Sequence, residues 1–403
     1  MKKTLKIIAI ILGIVIIGLV YYYFFFAQNT APGTSNPIQS VLNLFPFGND
    51  NTNPTPVDTS TTTEIVLTPT QTGSYLQKLR LISNEPVAGA TFVEGTTTLA
   101  IRYIEKATGH IYDVAANADT VEKISNTTIP KIHEAFFTEG GKGVIVRYVG
   151  EDNEIINTVY GKVGSSTTLT LLPENISFLS VAPSGKNIFY LVGTNGSFTN
   201  GSTGILATPN ASSKKQIWTS PIGHIIPQFV SNTQVALVTS PNAGAPGSVY
   251  TVNTTNAAVK NVLSQYYGLS ALANPTGNTL LALSGANMFT YSIAAATTSP
   301  ITPTTFPEKC VFDRTARNIV YCAVPKSGID RVSLDNWYLG LVSFSDDIWK
   351  YDISNNTALL IEDLPADAGR TIDAIHLQLN AAGSILTFES KTDGSLWALN
   401  VTM

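Results

Sequence analysis

The stretch SVAPSGKNIFYLV (180–192) decides the fold of this chain. Its two apolar segments flank the turn Pro183-Ser184-Gly185-Lys186-Asn187, and Pro, Ser, Gly and Asn are the residue types that form tight turns. An apolar strand, a tight turn and a second apolar strand predict a β-hairpin.

The same hairpin pattern recurs along the chain. It is found in FVEGTTTLAIRY (92–103), FFTEGGKGVIVRY (136–148), QFVSNTQVALVTS (228–240), ALANPTGNTLLAL (271–283), VFDRTARNIVYCAV (311–324) and LQLNAAGSILTFES (377–390). The first apolar residues after successive turns are separated by 45, 44, 47, 45, 39 and 66 residues. A period near 45 residues indicates a repeat protein whose units are small sheets.

Two further strands follow most of these hairpins. The third strand alternates apolar and polar residues, as in GHIYDV (109–114) and DIWKYDIS (347–354). A fourth strand comes next, as in VEKIS (121–125) and TALLIEDL (357–364). Alternation with a period of two is typical of half-buried strands. Four short strands per repeat predict a β-propeller.

The two ends of the repeat region complete each other. The last unit ends after its third strand, whereas the strand LQKLRLIS (76–83) precedes the first full unit. We expect this strand to pair beside Trp397, because ring closure removes an exposed sheet edge. The sequence therefore predicts an all-β, seven-bladed β-propeller of four-stranded blades at 75–403, with its last blade closed by the N-terminal strand.

An apolar run at the N-terminus predicts a membrane anchor. Residues 7–27 carry no charge, and as a helix they span roughly 30 Å, enough to cross a bilayer core. Three lysines in the tail at 1–6 place the N-terminus in the cytoplasm and the C-terminal domain outside, in the periplasm or at the cell surface. A cleaved signal peptide is the alternative, although the run is long and ends in bulky aromatic residues. Residues 28–74, rich in Pro, Thr, Ser and Asn, predict a disordered linker.

The composition excludes several function classes. The 403 residues carry a net charge of −4, and only 13% are charged. Without the three lysines of the basic tail, the rest of the chain has a net charge of about −7, which argues against a nucleic-acid partner. Two cysteines and four scattered histidines give no pattern of metal ligands, so the sequence predicts no metal. The chain has no phosphate-binding or dinucleotide-binding loop, so the sequence predicts no cofactor.

The turn in APSGKNIFY and the Trp or Tyr in the third strands resemble the propeller repeats of TolB, the Tol–Pal translocation protein, and of its WD40-like relatives. This resemblance covers residues 76–403 and implies a fold, not a ligand. The propeller domains of prolyl-oligopeptidase-type peptidases look similar too. The chain lacks the G-x-S-x-G nucleophile motif of their catalytic domain, and it lacks the WD dipeptide of true WD40 repeats.

The two cysteines form a candidate disulfide. Cys310 and Cys322 lie on the two strands of the sixth hairpin, and a turn centred near Ala316 places them opposite each other. Opposed residues in antiparallel strands approach the separation that a disulfide needs. Oxidation is favoured outside the cytoplasm, so we expect a structural disulfide. Two buried free thiols are the alternative. A redox-active pair is not favoured, because the cysteines lack the C-x-x-C spacing.

The gap of 66 residues marks an insertion in the sixth blade, at 325–346. It and the residue after it hold a candidate binding surface of Arg331, Asp335, Trp337, Tyr338, Phe344, Asp346 and Asp347. Long insertions often carry specific contacts, and Trp, Tyr and Arg are typical interface anchors. One alternative is a lid whose aromatic residues pack onto the propeller. Another is a calcium site formed by the three aspartates, although their spacing fits no EF-hand loop.

No catalytic motif is visible, so the sequence predicts that the protein is not an enzyme. We expect a membrane-anchored, extracytoplasmic scaffold that binds a protein or a cell-envelope polymer. One alternative is a propeller enzyme, such as a glycan hydrolase or lyase, with its site at the channel mouth. Another is a structural subunit of an envelope secretion or pilus machine. Carboxylates or histidines that converge in the channel would favour the enzyme.

Overall fold

A computed structural model describes residues 77–95, 98–150, 155–164 and 169–402. These residues form seven four-stranded antiparallel sheets, which are the blades of a propeller. The predicted seven-bladed, all-β fold is therefore confirmed. The predicted tail, membrane helix and linker lie outside the described residues. Within the described part, no helix is long and apolar enough to span a bilayer.

The strands follow one another from the first, at the channel, to the fourth, at the periphery. Blade 1 contains β2 (Val87–Glu94), β3 (Leu99–Glu105), β4 (Ile111–Ala115) and β5 (Val121–Ser125). Blade 2 contains β6 (Ile132–Thr138), β7 (Gly143–Val149), β8 (Ile156–Lys162) and β9 (Thr170–Leu171). Blade 3 contains β10 (Phe178–Val181), β11 (Ile188–Thr194), β12 (Ser197–Ala207) and β13 (Lys214–Ser220). Blade 4 contains β14 (Ile225–Ser231), β15 (Gln234–Thr239), β16 (Pro246–Asn253) and β17 (Val259–Tyr267).

The remaining blades include the insertion and the closure. Blade 5 contains β18 (Ser270–Ala273), β19 (Thr279–Ser284), β20 (Asn287–Ser292) and β21 (Thr297–Pro300). Blade 6 contains β22 (Cys310–Phe312), β23 (Ile319–Pro325), β24 (Asp346–Asp352) and β25 (Thr357–Glu362). Blade 7 contains β26 (Ala374–Leu379), β27 (Ile385–Ser390), β28 (Leu396–Asn400) and β1 (Leu79–Ser83). Short helices are α1 (Ser333–Tyr338) and α2 (Leu364–Ala368), with 3-10 turns at Glu139–Gly141 and Pro307–Lys309.

The N-terminal strand closes the ring as predicted. β1 runs antiparallel to β28, with Leu79 opposite Leu399 and Leu81 opposite Trp397. It is the outermost strand of blade 7, so the blade is built from both ends of the propeller sequence. This pairing covers an edge of β28 that would otherwise be open.

The turns after the first strands share a backbone conformation. Gly185, Gly277 and Gly383 all have φ of +69°. This left-handed region is accessible to glycine at little cost, because glycine has no Cβ. The recurring glycine in the repeat is therefore explained by the turn that joins the first and second strands.

The meander gives the propeller two distinct faces. The turns between first and second strands and between third and fourth strands open on one side, which we call the turn face. The loops between second and third strands open on the other side, which we call the insertion face, because residues 326–345 lie there between β23 and β24. Leu79 pairs near the turn-face end of β28, so the chain enters the propeller at the turn face.

The apolar core lies between neighbouring blades. Ile145 of blade 2 packs in one cluster with Ile188 of blade 3, and Val238 of blade 4 packs in another with Leu280 of blade 5. All four side chains are at least 97% buried. Because the blades pack face to face, their first strands are left to line the central channel.

Candidate functional site

The central channel contains a cavity of about 630 Å³. It is lined by the first strands of blades 1, 2, 3, 6 and 7 and by the turns that follow several of them. Glu94 ends β2, and Glu139 and Arg314 follow β6 and β22, so the cavity reaches the turn face. Its volume is in the range of small-molecule sites. The lining within the described chain includes no residue of the insertion.

A histidine in an unusual backbone conformation projects into this cavity. His376 has φ of +54°, a conformation that side chains other than glycine rarely adopt. It lies in a bulge, because the register of β26 against β27 shifts between Ile375 and Gln378. Bulges re-aim side chains next to functional sites. The strained bulge therefore turns the imidazole into the channel, where 64% of the side chain is accessible.

His376 forms a pair with a glutamate on the neighbouring strand. Its Nδ1 lies 2.9 Å from Oε2 of Glu389, which is itself nine-tenths buried. The walls of the cavity lower the pKa of His376, but the hydrogen bond to Glu389 and its charge outweigh this effect and raise the pKa above its ordinary value. The raised pKa enlarges the protonated fraction of the imidazole at a given pH, and a histidine can both accept and donate a proton.

Neighbouring polar groups hold the walls of the cavity. Gln378, two residues after the histidine, donates from Nε2 to the carbonyl oxygen of Ala90 at 3.0 Å and so links blade 7 to blade 1. Glu134 forms an ion pair with Arg147, a side chain that is 3% exposed. Burial lowers the pKa of Arg147 to about 10, so it remains a cation at neutral pH. Glu134 is therefore paired with a buried cation in the wall.

Acidic groups outnumber basic ones around the cavity. Its titratable lining residues are Glu94, Glu134, Glu139, Arg314, His376 and Glu389. Sequence reasoning missed this site, because the residues come from four blades and no local motif joins them. The signal it contained was the polar residues within otherwise apolar first strands, as in AIHLQL (374–379).

The predicted binding surface of the insertion is divided between the interior and the exterior. Trp337 is 5% exposed and packs on Phe306, with ring centroids 5.3 Å apart. Phe344 packs on the same ring, and Asp346 is fully buried. These side chains attach the insertion to the propeller and do not present a surface. The reason is that aromatic residues anchor cores as well as interfaces.

The other predicted residues lie nearer the exterior. Arg331 and Tyr338 are exposed, and the Tyr338 hydroxyl donates to Glu308. Both carboxylate oxygens of Asp335 accept from the backbone of Ala243, at 3.1 Å. Asp347 pairs with Lys326 at 3.1 Å.

The three aspartates considered for calcium thus engage separate partners. Asp335 is bound by Ala243, Asp346 by Lys309 and Asp347 by Lys326. No set of three acidic, histidine or cysteine residues that could hold a metal ion occurs in the described ranges.

Cys310 and Cys322 form a cross-strand disulfide. They are a register pair between β22 and β23, with Cα atoms 4.1 Å apart, and both are buried. The bond crosses the hairpin that precedes the insertion and closes a short loop.

Loss of this disulfide is expected to destabilise the propeller moderately. Replacing both cysteines by alanine should lower the free energy of unfolding by about 3 kcal/mol, because a closed loop restricts the unfolded chain. Urea unfolding of the full chain in detergent measures this, with reduced wild-type protein as the control. Labelling of two thiols in denatured, unreduced protein would contradict the bond.

Comparison with known proteins identifies the fold. The sequence matches no known protein family and no curated protein. The structure is similar to an oligogalacturonate lyase from Vibrio parahaemolyticus, with a TM-score of 0.51 and 8% identity over 79% of this chain and 91% of that one. It is also similar to the tricorn protease, with a TM-score of 0.51 and 11% identity over 82% of this chain. The chain spans only 34% of that protease.

A second oligogalacturonate lyase, solved in complex with manganese, has a TM-score of 0.46 and 10% identity, over 78% of this chain and 96% of that one. At these identities the likeness establishes the propeller fold alone. The two structures with TM-scores of 0.51 are a lyase and a protease, so these comparisons do not support a specific resemblance to TolB repeats.

The prediction that the protein is not an enzyme is corrected by this comparison. The similar structures reported above are enzymes, so the fold gives no ground for excluding catalysis. The prediction failed because it relied on the absence of a local motif. In a propeller, the residues around one channel come from strands that are remote in sequence, and the motif search did not detect them.

Proposed function

We propose that this protein is a propeller enzyme that cleaves a glycan chain by acid–base chemistry in its central cavity. The observation that carries this proposal is the pair of His376 and Glu389 on a strained bulge inside the channel. Strained residues cluster at active sites, where the surrounding fold maintains them.

The geometry assigns a role to each member of the pair. When the imidazole is neutral, its Nδ1–H donates to Glu389 and leaves Nε2 as a proton acceptor. Nε2 has no partner in the part of the chain that the structure describes, so it is available to a bound molecule. In hydrolysis, Nε2 of His376 would accept a proton from a water molecule while the water oxygen bonds to the anomeric carbon and the glycosidic carbon–oxygen bond breaks. Glu389 would stabilise the imidazolium that forms. The raised pKa also allows the protonated ring to return that proton to a leaving group.

The glycan class is supported by shared architecture. The oligogalacturonate lyase with the same fold acts, by its name, on a glycan fragment. The cavity here is also open at one face of the propeller, as cleavage of a chain requires. These points support the substrate class, whereas the role of His376 is argued from its own geometry.

Replacement of His376 is expected to abolish most of the activity. The test incubates the full chain, in detergent, with neutral, cationic and anionic glycans, and follows new reducing ends and the ultraviolet absorbance of unsaturated products. H376A should reduce cleavage by about 100-fold or more, because a positioned proton acceptor contributes at least that factor. His224→Ala, an exposed histidine outside the cavity lining, should retain full activity.

The pH profile separates this role from a structural one. Wild-type activity should rise with pH through a value above 6.5, because only neutral His376 accepts a proton. Glu389→Gln removes the charge that raises this pKa, so its profile should move to lower pH. Full activity of H376A, or no cleavage of any glycan by the wild-type protein, would contradict the proposed function.

We further propose that the enzyme acts outside the cytoplasm, held by the apolar segment at 7–27 and the linker at 28–74. The sequence of the N-terminal region supports this location. Recognition of a protein or envelope polymer by the insertion also stays a prediction. Its support is the exposure of Leu339 and Leu341, which are 71% and 70% accessible beside Arg331 and Tyr338.

A further inference from the structure

We infer that the cavity selects a glycan that carries positive charge, such as an amino-sugar chain, and rejects uronate chains. This inference rests on the proposed function, since it concerns the ligand of the same cavity. It separates this chain from the oligogalacturonate lyase that shares its fold, because galacturonate carries a carboxylate on every sugar.

The charges around the cavity carry the argument. Four glutamates line it, against one arginine and one histidine. Glu134 is neutralised by Arg147, and Glu389 is engaged by His376. This leaves Glu94 and Glu139, and neither forms an ion pair with any described residue. Two carboxylates without an ion-pair partner therefore stand near the mouth, against the one guanidinium of Arg314.

Both of these carboxylates lie at the turn face. Oε1 of Glu94 accepts from the backbone N–H of Ala381 at 3.0 Å, which holds the side chain between blades 1 and 7. Glu139 begins the 3-10 turn after β6 with φ of +52°, and its side chain is exposed. A ligand that approaches from this face meets both groups before it reaches His376, which lies further along the channel.

A concave site concentrates the field of such groups. Low-dielectric walls focus the potential of like charges and raise the local concentration of counter-charged ligands. Arg314 is the single guanidinium in the lining, so a chain with repeated carboxylates would find one cationic partner and two repelling carboxylates. A protonated amine would find two attracting carboxylates and one repelling guanidinium.

The test is equilibrium binding of three fluorescently labelled oligomers of equal length to the full chain in detergent. The probes are glucosamine, N-acetylglucosamine and galacturonate oligomers, which are cationic, neutral and anionic. We expect the glucosamine oligomer to bind most tightly and to weaken as salt rises. Glu94→Gln and Glu139→Gln should each weaken it by about two- to fivefold, because single exposed ion pairs contribute up to about that factor.

A matched control lies on the opposite face. Glu174 is an exposed glutamate in the loop before β10, on the insertion face, and Glu174→Gln should change none of the three affinities. The neutral oligomer should be insensitive to all of these variants. The inference is overturned if galacturonate binds as tightly as glucosamine, if glucosamine does not bind, or if the two cavity variants change nothing.

These outcomes are distinguishable from those of the proposed function. If His376→Ala removes cleavage while galacturonate is the preferred ligand, the enzyme proposal stands and the charge inference fails. If glucosamine binds and responds to Glu94 and Glu139 while no oligomer is cleaved, the charge inference stands and the enzyme proposal fails.

Discussion

Deletion of residues 77–83, which removes β1, is expected to abolish the cooperative unfolding transition of the propeller. Leu79 and Ile82 are 7% and 8% exposed, and burial of two such side chains contributes roughly 3–6 kcal/mol. The deletion also removes the backbone pairing with β28 and exposes that edge. The free energy of unfolding of natural domains is about 5–15 kcal/mol, so the deletion removes a large part of it.

Side-chain contacts add to the cost of this deletion. Arg80 of β1 donates to the carbonyl oxygens of Ala116 and Ala118, at 2.7 and 2.8 Å, and so reaches from blade 7 to blade 1. Lys78, just before the strand, pairs with Glu362 of blade 6 at 2.9 Å. The closing strand thus fastens three consecutive blades, and its removal opens the ring at both neighbours.

Thermal unfolding of the full chain in detergent, followed by circular dichroism, measures this effect. Deletion of seven residues of the predicted linker, 55–61, is the matched control and should leave the transition unchanged. A pair of point variants refines the test: Leu79→Asp buries a charge, whereas Leu81 is 45% exposed and Leu81→Asp should be mild. Cooperative unfolding of the β1 deletion at the wild-type temperature would show that the ring does not depend on its closure.

The fold was predictable from sequence because its determinants are local and repeated. A turn such as APSGKN (182–187) requires a glycine with positive φ, and the following strand is apolar wherever it enters the core. Repetition at about 45 residues then fixes the number of blades. The pairing of Leu81 with Trp397 followed from counting strands, because one strand was missing at one end and extra at the other.

The candidate site was not predictable by the same route. The left-handed conformation of His376 results from a bulge in β26, which the alternation of AIHLQL does not reveal. Its surroundings come from turns that are more than 200 residues apart in sequence, such as those at Glu139 and Asn380. The prediction that Trp337 belongs to a binding surface was also wrong. Composition does not tell whether this side chain faces solvent or packs on Phe306.

Replacement of Lys309 by methionine is expected to be among the most destabilising single changes in the protein. Its side chain is fully buried between two buried carboxylates, Asp346 at 2.7 Å and Asp373. Methionine fills a similar volume but leaves both acids without their cation. Removal of one partner of a buried ion pair costs about 3–5 kcal/mol. Lys326→Met is the matched control: it also pairs with two aspartates but is exposed, so its loss should be under about 1 kcal/mol.

The two acids of this cluster are not equivalent. Asp373 accepts from Lys309, from Nε1 of Trp337 at 3.0 Å and from the backbone of Phe344 at 3.1 Å, so it attaches the insertion to blade 7. Oδ1 of Asp346, in contrast, has no hydrogen-bond partner in the described structure. Asp373→Asn should therefore destabilise the protein and release the insertion to proteolysis, whereas Asp346→Asn should be milder.

The pH dependence of Asp346→Asn gives the most specific result. Burial raises the pKa of Asp346 to about 6, although the charge of Lys309 opposes this shift. An acid with a raised pKa holds its proton more tightly in the folded protein, so its contribution is full below about pH 4 and is lost as the pH rises through about 6. The free energy of unfolding of the asparagine variant does not fall in this way, because asparagine does not titrate. Relative to the wild type, it should therefore rise by roughly 2–3 kcal/mol between pH 4 and pH 7. Urea titrations at both pH values measure the gain, and a constant difference between the two proteins would contradict a buried, titrating Asp346.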